Sequence, residues 1–159
     1  MEIKNMKFLL LIIPVINFLS FSSANEVNSN PDSVVYGEDN RREIYSLNSN
    51  LKKLANSTFI ITQKKRVIKQ GDGIVFSYLH YGRTFKLCKE EPFYEQLSSG
   101  FCTGFLIAGD LAVTAGHCIS EKTCNFVNMV FDYQLSDDGT LPPVFSQDKV
   151  FSCKEIIFS

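Results

Sequence analysis

Residues 101–120 read FCTGFLIAGDLAVTAGHCIS and place His117, one of only two histidines in the chain, directly before a cysteine. An imidazole is the side chain best suited to general acid–base chemistry near neutral pH. Two apolar runs, 103–107 and 111–114, flank the turn signal at Gly109 and predict a β-hairpin. The candidate chemistry is therefore proton transfer by a histidine held where the second strand of a hairpin leaves its sheet.

Cys102 and Cys118 lie sixteen positions apart, at the two outer ends of the predicted hairpin. Because an antiparallel hairpin brings these ends together, the spacing predicts a disulfide across its mouth. Closing a loop of this size stabilises the fold by about 3 kcal/mol in the chain-entropy model. We expect the disulfide to fix the direction of the His117 ring, with Gly116 easing the turn of the backbone before it.

Two other interpretations of these residues stay open. A histidine beside a structural disulfide can be an ordinary surface residue, and a Cys/His group can bind zinc. Zinc sites typically contain a close Cys-x-x-Cys pair, which this sequence lacks. Disulfides are therefore favoured over a metal. The second histidine, His80, lies in the β-like run SYLHY and is interpreted as a packed or surface side chain rather than a catalytic one.

The first 24 residues have the composition of a secretory signal peptide. Lys4 and Lys7 precede the largely apolar run 8–21, and small residues lead to a predicted cleavage after Ala24. The run is short for a membrane span of about 20 residues, which disfavours an anchor. We predict secretion to the extracellular space or the periplasm, no membrane contact after cleavage, and no part for residues 1–24 in the fold. Disulfides are the default state of cysteines in that oxidising environment.

Composition restricts the remaining possibilities. A net charge of −1 and a pI near 6.1 give no electrostatic footprint for nucleic acid, and 45% hydrophobic residues suffice for one packed domain.

We interpret residues 25–33 as a short pro-segment or disordered leader, and 34–159 as the domain. Short β-branched and aromatic runs between turn signals predict an all-β barrel or sandwich, and residues 49–56 predict a short helix.

The stretch 101–118 resembles the region around the catalytic histidine of the trypsin- and chymotrypsin-like serine proteases. The resemblance is carried by Cys-x-Gly-x-Leu-Ile, by Leu-x-x-Thr-Ala, by Thr-Ala-Gly-His-Cys and by the cysteine spacing. Gly116 stands where many animal members have alanine. It resembles the bacterial branch that includes the glutamyl endopeptidases, as does VVYGEDNRREIY from Val34 onward. The resemblance runs over roughly residues 34–159.

This resemblance implies a double β-barrel with the active site between its barrels, of which this chain would hold the first barrel, incomplete. His117 would be the general base and then the general acid of an acyl-enzyme mechanism acting on a polypeptide substrate, with no metal or organic cofactor. The histidine-loop disulfide would be Cys102–Cys118. A second pairing, Cys124–Cys153, is expected to leave Cys88 unpaired.

The other two members of a serine-protease triad are missing from the sequence. The aspartates that follow His117 are Asp132, Asp137, Asp138 and Asp148, and none lies in the family's Asp-x-Ala-Leu context; Gly-Asp-Ser-Gly does not occur. We therefore expect a truncated N-terminal portion of a secreted serine endopeptidase, inactive alone, whose open barrel exposes unpaired strand edges. The alternative is a secreted, disulfide-bonded β module, or a degenerate protease homologue, with a binding role.

Overall fold

The computed structural model describes residues 5–10 and 38–158, and its architecture is an all-β fold with few helices, as predicted. The strands are β1 Asn5–Leu10, β2 Thr58–Gln63, β3 Val67–Gln70, β4 Gly73–Phe76, β5 Leu79–His80, β6 Leu97–Ser98, β7 Cys102–Ala108, β8 Leu111–Thr114, β9 Val127–Phe131, β10 Phe145–Ser146 and β11 Val150–Phe158. The helices are α1 Ser49–Ala55, α2 Tyr81–Thr84 and α3 Glu121–Cys124, and 3-10 turns span Ile44–Ser46, Lys64–Arg66 and Gln147–Lys149. Within these described ranges, every helix is too short or too polar to cross a membrane.

Five of the strands form one curled sheet in the order β11-β9-β2-β7-β8, with every neighbouring pair antiparallel. β9 lies between β11 and β2 in this sheet, and all five residues of β9 are buried. The concave side of the sheet encloses the main core, which is formed by Phe59, Ile61, Ala112, Ile119, Cys124, Val127, Met129, Phe131 and Cys153. This core fixes the strands that carry the candidate site.

A smaller sheet, β10-β4-β3, packs a second core against the outside of β9. Phe76 meets the rings of Tyr133 and Phe145 edge to face, at centroid distances of 5.3 and 5.0 Å. Such aromatic contacts add to the free energy gained from burying apolar area. The short pair β5-β6 lies beside this second core.

β1 lies between β8 and β11 and closes the curled sheet into a six-stranded barrel. It runs parallel to both neighbours, with Phe8 in register with Ala112 of β8 and Ile156 of β11. The five antiparallel strands by themselves form the incomplete barrel that the sequence predicts, with open edges at β8 and β11. β1 lies within residues 1–24, and the signal peptide predicted for that range stays a prediction. Cleavage after Ala24, the leader 25–33 and the domain start at residue 34 lie outside the described residues and stay predictions.

Candidate functional site

The hairpin predicted around Gly109 is formed by β7 and β8, which pair Gly104 with Thr114 and Phe105 with Val113. Gly109 has a φ of +51°, a conformation that favours glycine, at the tip of the turn. The hairpin extends over the wall of the main core, where Ala112 is fully buried. β8, the second strand of the hairpin, therefore ends at the end of the barrel where His117 lies.

A tight turn and a disulfide hold His117 beside the end of β8. The amide N–H of Cys118 donates to the carbonyl oxygen of Ala115 at 2.9 Å, which places His117 inside the turn. Cys118 is bonded to Cys102 with a Cα–Cα distance of 5.9 Å, an ordinary separation for a disulfide. Gly116 is not in the left-handed region, and no atom of a described residue lies within 4 Å of the position that a Cβ would take. The turn before His117 therefore has no steric requirement for a glycine at position 116 among the described residues.

The second expected pairing is also present, between Cys124 of α3 and Cys153 of β11, with a Cα–Cα distance of 5.2 Å. Both residues belong to the main core. Cys88 has a free, exposed thiol. The two disulfides thus fix both ends of the segment 118–124, which follows His117.

His117 is exposed and lines a pocket of about 660 Å³ at the end of the barrel. Part of the lining is apolar and comes from Phe101, Ile119, Phe126 and Val127; its polar part includes Gln63, Lys64, Lys65, Ser120 and Thr123. Within residues 38–158, the His117 ring has no hydrogen-bond or ion-pair partner. The imidazole is therefore accessible to a group that enters the pocket.

Two hydrogen bonds donated by backbone amides hold the segments that line this pocket. The amide N–H of Lys64 donates to the carbonyl oxygen of Phe126 at 2.9 Å, tying the end of β2 to the segment between α3 and β9. At the start of α3, the amide N–H of Ser120 donates to Thr123 Oγ1 at 2.8 Å and forms a capping box. Lys64, Lys65 and Phe126 carry no sequence signal as site residues, because they come from separate segments and form no motif. Phe101 stands at the start of the stretch that resembles the histidine region, but that resemblance assigns it no role.

The four aspartates that follow His117 have other partners, and none lines its pocket. Asp132 pairs with Lys149 at 2.7 Å, which raises the pKa of that lysine. Asp138 accepts hydrogen bonds from the Thr140 side chain and amide, which lower its pKa, within the turn around Gly139. Asp137 is exposed near Lys52, and Asp148 accepts from Ser146 Oγ. These aspartates have local structural roles.

His80 packs as a structural histidine, in agreement with its interpretation. Its Nδ1 accepts from the amide N–H of Arg83 at 3.4 Å, which leaves the ring proton on Nε2. Nε2 lies 2.7 Å from the Glu95 carboxylate and donates to it. The ring also meets Tyr94 edge-on at 5.5 Å. With both ring nitrogens engaged, His80 has no free site for acid–base catalysis.

The potential metal ligands at the site are Cys102, His117 and Cys118, whose ligand atoms lie within 4.8 Å of one another. Zinc binds cysteine as the thiolate. Because the two sulfurs are bonded to each other in a disulfide, they carry no thiolate, and His117 remains the one donor of this group. The donor chemistry therefore does not fit the zinc hypothesis in the oxidised protein.

Residues 89–155 match the protein-family model described as Trypsin. The matched segment contains the β7–β8 hairpin, His117 and all four disulfide-bonded cysteines. No curated protein and no solved structure matched the chain. The match covers less than half of the chain, and it supports a serine-protease-like function.

Proposed function

We propose that the chain is the N-terminal part of a secreted serine endopeptidase of the trypsin-like family, from the bacterial branch that includes the glutamyl endopeptidases. The observation that carries the proposal is the setting of His117. Its ring is exposed beside a pocket, held between β8 and the Cys102–Cys118 disulfide, inside the segment that matches the family model. Two disulfides and a signal-like N-terminus support secretion.

In this proposal His117 moves one proton in each half of an acyl-transfer reaction. It takes the proton of a serine hydroxyl as the oxygen bonds to the scissile carbonyl carbon, and gives it to the amine as the carbon–nitrogen bond breaks. Water then attacks the acyl-enzyme; His117 takes the water's proton and returns it to the serine oxygen as the ester bond breaks. No metal or organic cofactor takes part.

The proposal assigns the serine and the orienting carboxylate to a part of the protein beyond this sequence. Among the described residues no carboxylate contacts His117, although a triad needs one to set the tautomer of the ring. We therefore expect residues 1–159 alone to lack peptidase activity. The alternative, a binding module or degenerate homologue, draws support from this same unpartnered ring.

The decisive experiment begins with the transcript beyond the codon for Ser159. A continuation that encodes Asp-x-Ala-Leu and Gly-Asp-Ser-Gly should yield a protein that hydrolyses peptides and reacts with a fluorophosphonate probe. In that protein His117→Gln should lower kcat/KM by about 10⁴-fold, while His80→Gln should leave it within about threefold. A stop codon after Ser159, or a completed protein whose activity survives loss of His117, would contradict the proposal and favour the binding role.

A further inference from the structure

The pocket beside His117 exposes two aromatic side chains. Phe101 is 49% exposed and Phe126 is 68% exposed, and both line the same concavity of about 660 Å³. Large apolar surface turned toward a concave site is typical of ligand pockets, because a bound apolar group removes that surface from water. The pocket therefore fits an apolar side chain.

The polar edge of the pocket is positively charged. Lys64 and Lys65 both line it and are exposed, and neither forms an ion pair with a residue the structure describes. In the part of the chain that the structure describes, no carboxylate contributes to the lining; Glu121, the first residue of α3, lies outside the pocket. Two uncompensated ammonium groups beside an apolar surface favour a ligand that carries negative charge next to an apolar group.

The lysines and the aromatic surface are held in a fixed relation. The backbone hydrogen bond from the Lys64 amide to the Phe126 carbonyl oxygen joins the charged side of the pocket to its apolar side. The Cys102–Cys118 disulfide holds the segments next to Phe101 and His117 together. Because this hydrogen bond and this disulfide exist before a ligand binds, binding costs little additional conformational entropy in the protein.

We propose that this pocket selects peptides in which a large apolar residue is followed by acidic residues, with the apolar side chain between Phe101 and Phe126 and the acidic ones facing Lys64 and Lys65. The inference deepens the proposed function and rests on it for the polypeptide nature of the ligand. Since His117 lines the same pocket, the bound residues lie beside the bond to be cleaved. Lys64, Lys65 and Phe126 are thus specificity-determining residues.

The test is a titration of the full chain, with histidine rings labelled for NMR, against three hexapeptides. The first contains phenylalanine followed by two glutamates, the second replaces the glutamates by lysines, and the third replaces phenylalanine by alanine. We expect the first peptide to shift the His117 resonances and to leave those of His80 in place. Its affinity should exceed that of each other peptide by about tenfold, and should fall as salt is added.

Matched variants test separately how the charge and the apolar surface of the pocket contribute to peptide binding. Lys64→Glu combined with Lys65→Glu should weaken binding of the acidic peptide by about tenfold, whereas Lys69→Glu, on β3 outside the pocket, should change it less than about twofold. Phe126→Ala should weaken binding by about tenfold, and Phe105→Ala, an exposed aromatic outside the pocket, should not. Absence of a His117 shift, equal binding of acidic and basic peptides, or equal losses in variants and controls would each overturn the proposal.

The titration also separates this inference from the proposed function, because peptide binding needs no nucleophile. If the peptide binds as expected but the completed protein hydrolyses nothing, the protease function fails and the pocket assignment stands. If the completed protein hydrolyses peptides without preference for an apolar residue followed by acidic ones, the protease function stands and the pocket assignment fails.

Discussion

The Thr114 hydroxyl donates a hydrogen bond of 2.6 Å to the carbonyl oxygen of Thr103. It joins the last residue of β8 to the second residue of β7, three positions before His117. Thr114 is buried, which limits the access of water to the donor side of this bond. The position of the candidate catalytic ring thus depends on a side-chain contact inside the hairpin as well as on the disulfide.

Replacing this hydroxyl by a methyl group tests the contact. Thr114→Val keeps the side-chain shape and should lower the free energy of unfolding by about 1 kcal/mol, since a buried hydrogen bond is lost. Urea unfolding of the full chain measures the change. Thr58→Val is the matched control, because its hydroxyl donates to the Ala55 carbonyl oxygen at an exposed position; its loss should stay below about 0.5 kcal/mol. Equal decreases in the free energy of unfolding of Thr114→Val and Thr58→Val would contradict the claim that the Thr114 hydrogen bond stabilises the hairpin.

The two disulfides should stabilise the fold to different extents. Replacing Cys102 and Cys118 by alanine opens a separation of 16 residues and should lower the free energy of unfolding by about 3 kcal/mol; for Cys124 and Cys153, with a separation of 29, the loss should be about 3.6 kcal/mol. Denaturant unfolding without reductant measures both. Cys88→Ala, which removes the free thiol, should have little effect. A larger loss from the first pair would show that strain or packing outweighs loop entropy.

The hairpin, the first disulfide and the short helix α1 were predictable because each depends on local spacing. Gly109 marks the turn, sixteen residues separate the cysteines, and Asn48 caps α1 by accepting from the amides of Asn50 and Leu51. The resemblance around His117 added the second pairing. These features need little knowledge of residues far away along the chain.

The pocket and the closure of the barrel were not predictable, because they depend on long-range placement. Lys64 reaches the pocket because β2 pairs with β7 and β9, and no local pattern encodes that neighbourhood. Likewise β1 meets β8 and β11 across more than a hundred residues of chain. The composition of residues 1–24 predicts a signal peptide, but composition carries no information on which strands a segment pairs with.

Tyr133 should make stability fall at alkaline pH. Its burial raises the pKa of the phenol above the ordinary value of 10.0, the nearby Tyr78 adds to the shift, and its hydroxyl lies 3.2 Å from the Leu97 carbonyl oxygen, to which it donates. The unfolded chain releases this proton near pH 10 while the folded chain keeps it. The free energy of unfolding is therefore unaffected below about pH 10 and decreases above it.

Urea midpoints measured from pH 8 to pH 11.5 check this effect. Tyr133→Phe should flatten the alkaline decrease and should cost about 1 kcal/mol or less at neutral pH for the lost hydrogen bond. Tyr45→Phe, at an exposed tyrosine, is the control and should leave the decrease unchanged. An alkaline decrease that is the same in Tyr133→Phe and in the parent would show that other groups cause it.

Removal of the N-terminal segment should uncover the edges of β8 and β11. β1 pairs with both, and unpaired apolar edges promote association between chains. We expect residues 25–159 to aggregate or to unfold at lower denaturant than the full chain. A soluble, monomeric 25–159 protein with a cooperative thermal transition would count against this prediction.

Two glycines of the histidine motif should respond in opposite ways to alanine. A Cβ at Gly104 would lie 2.4 Å from the Phe59 ring and 2.7 Å from the Val113 carbonyl oxygen, and the sheet cannot move that oxygen away without losing its pairing. We expect Gly104→Ala to lower the free energy of unfolding by about 2–3 kcal/mol through overpacking. Gly116 has open space at its Cβ position and a φ outside the left-handed region.

Gly116→Ala should therefore be neutral, or should stabilise the chain by about 0.5 kcal/mol, because alanine restricts the unfolded backbone. In the completed protein it should also leave the kcat/KM of peptide hydrolysis within about threefold. Urea unfolding and a peptidase assay measure the two quantities side by side. A large loss of activity with unchanged stability would mean that the glycine serves the entry of substrate to His117. A loss of stability would mean that the turn before His117 requires a glycine after all.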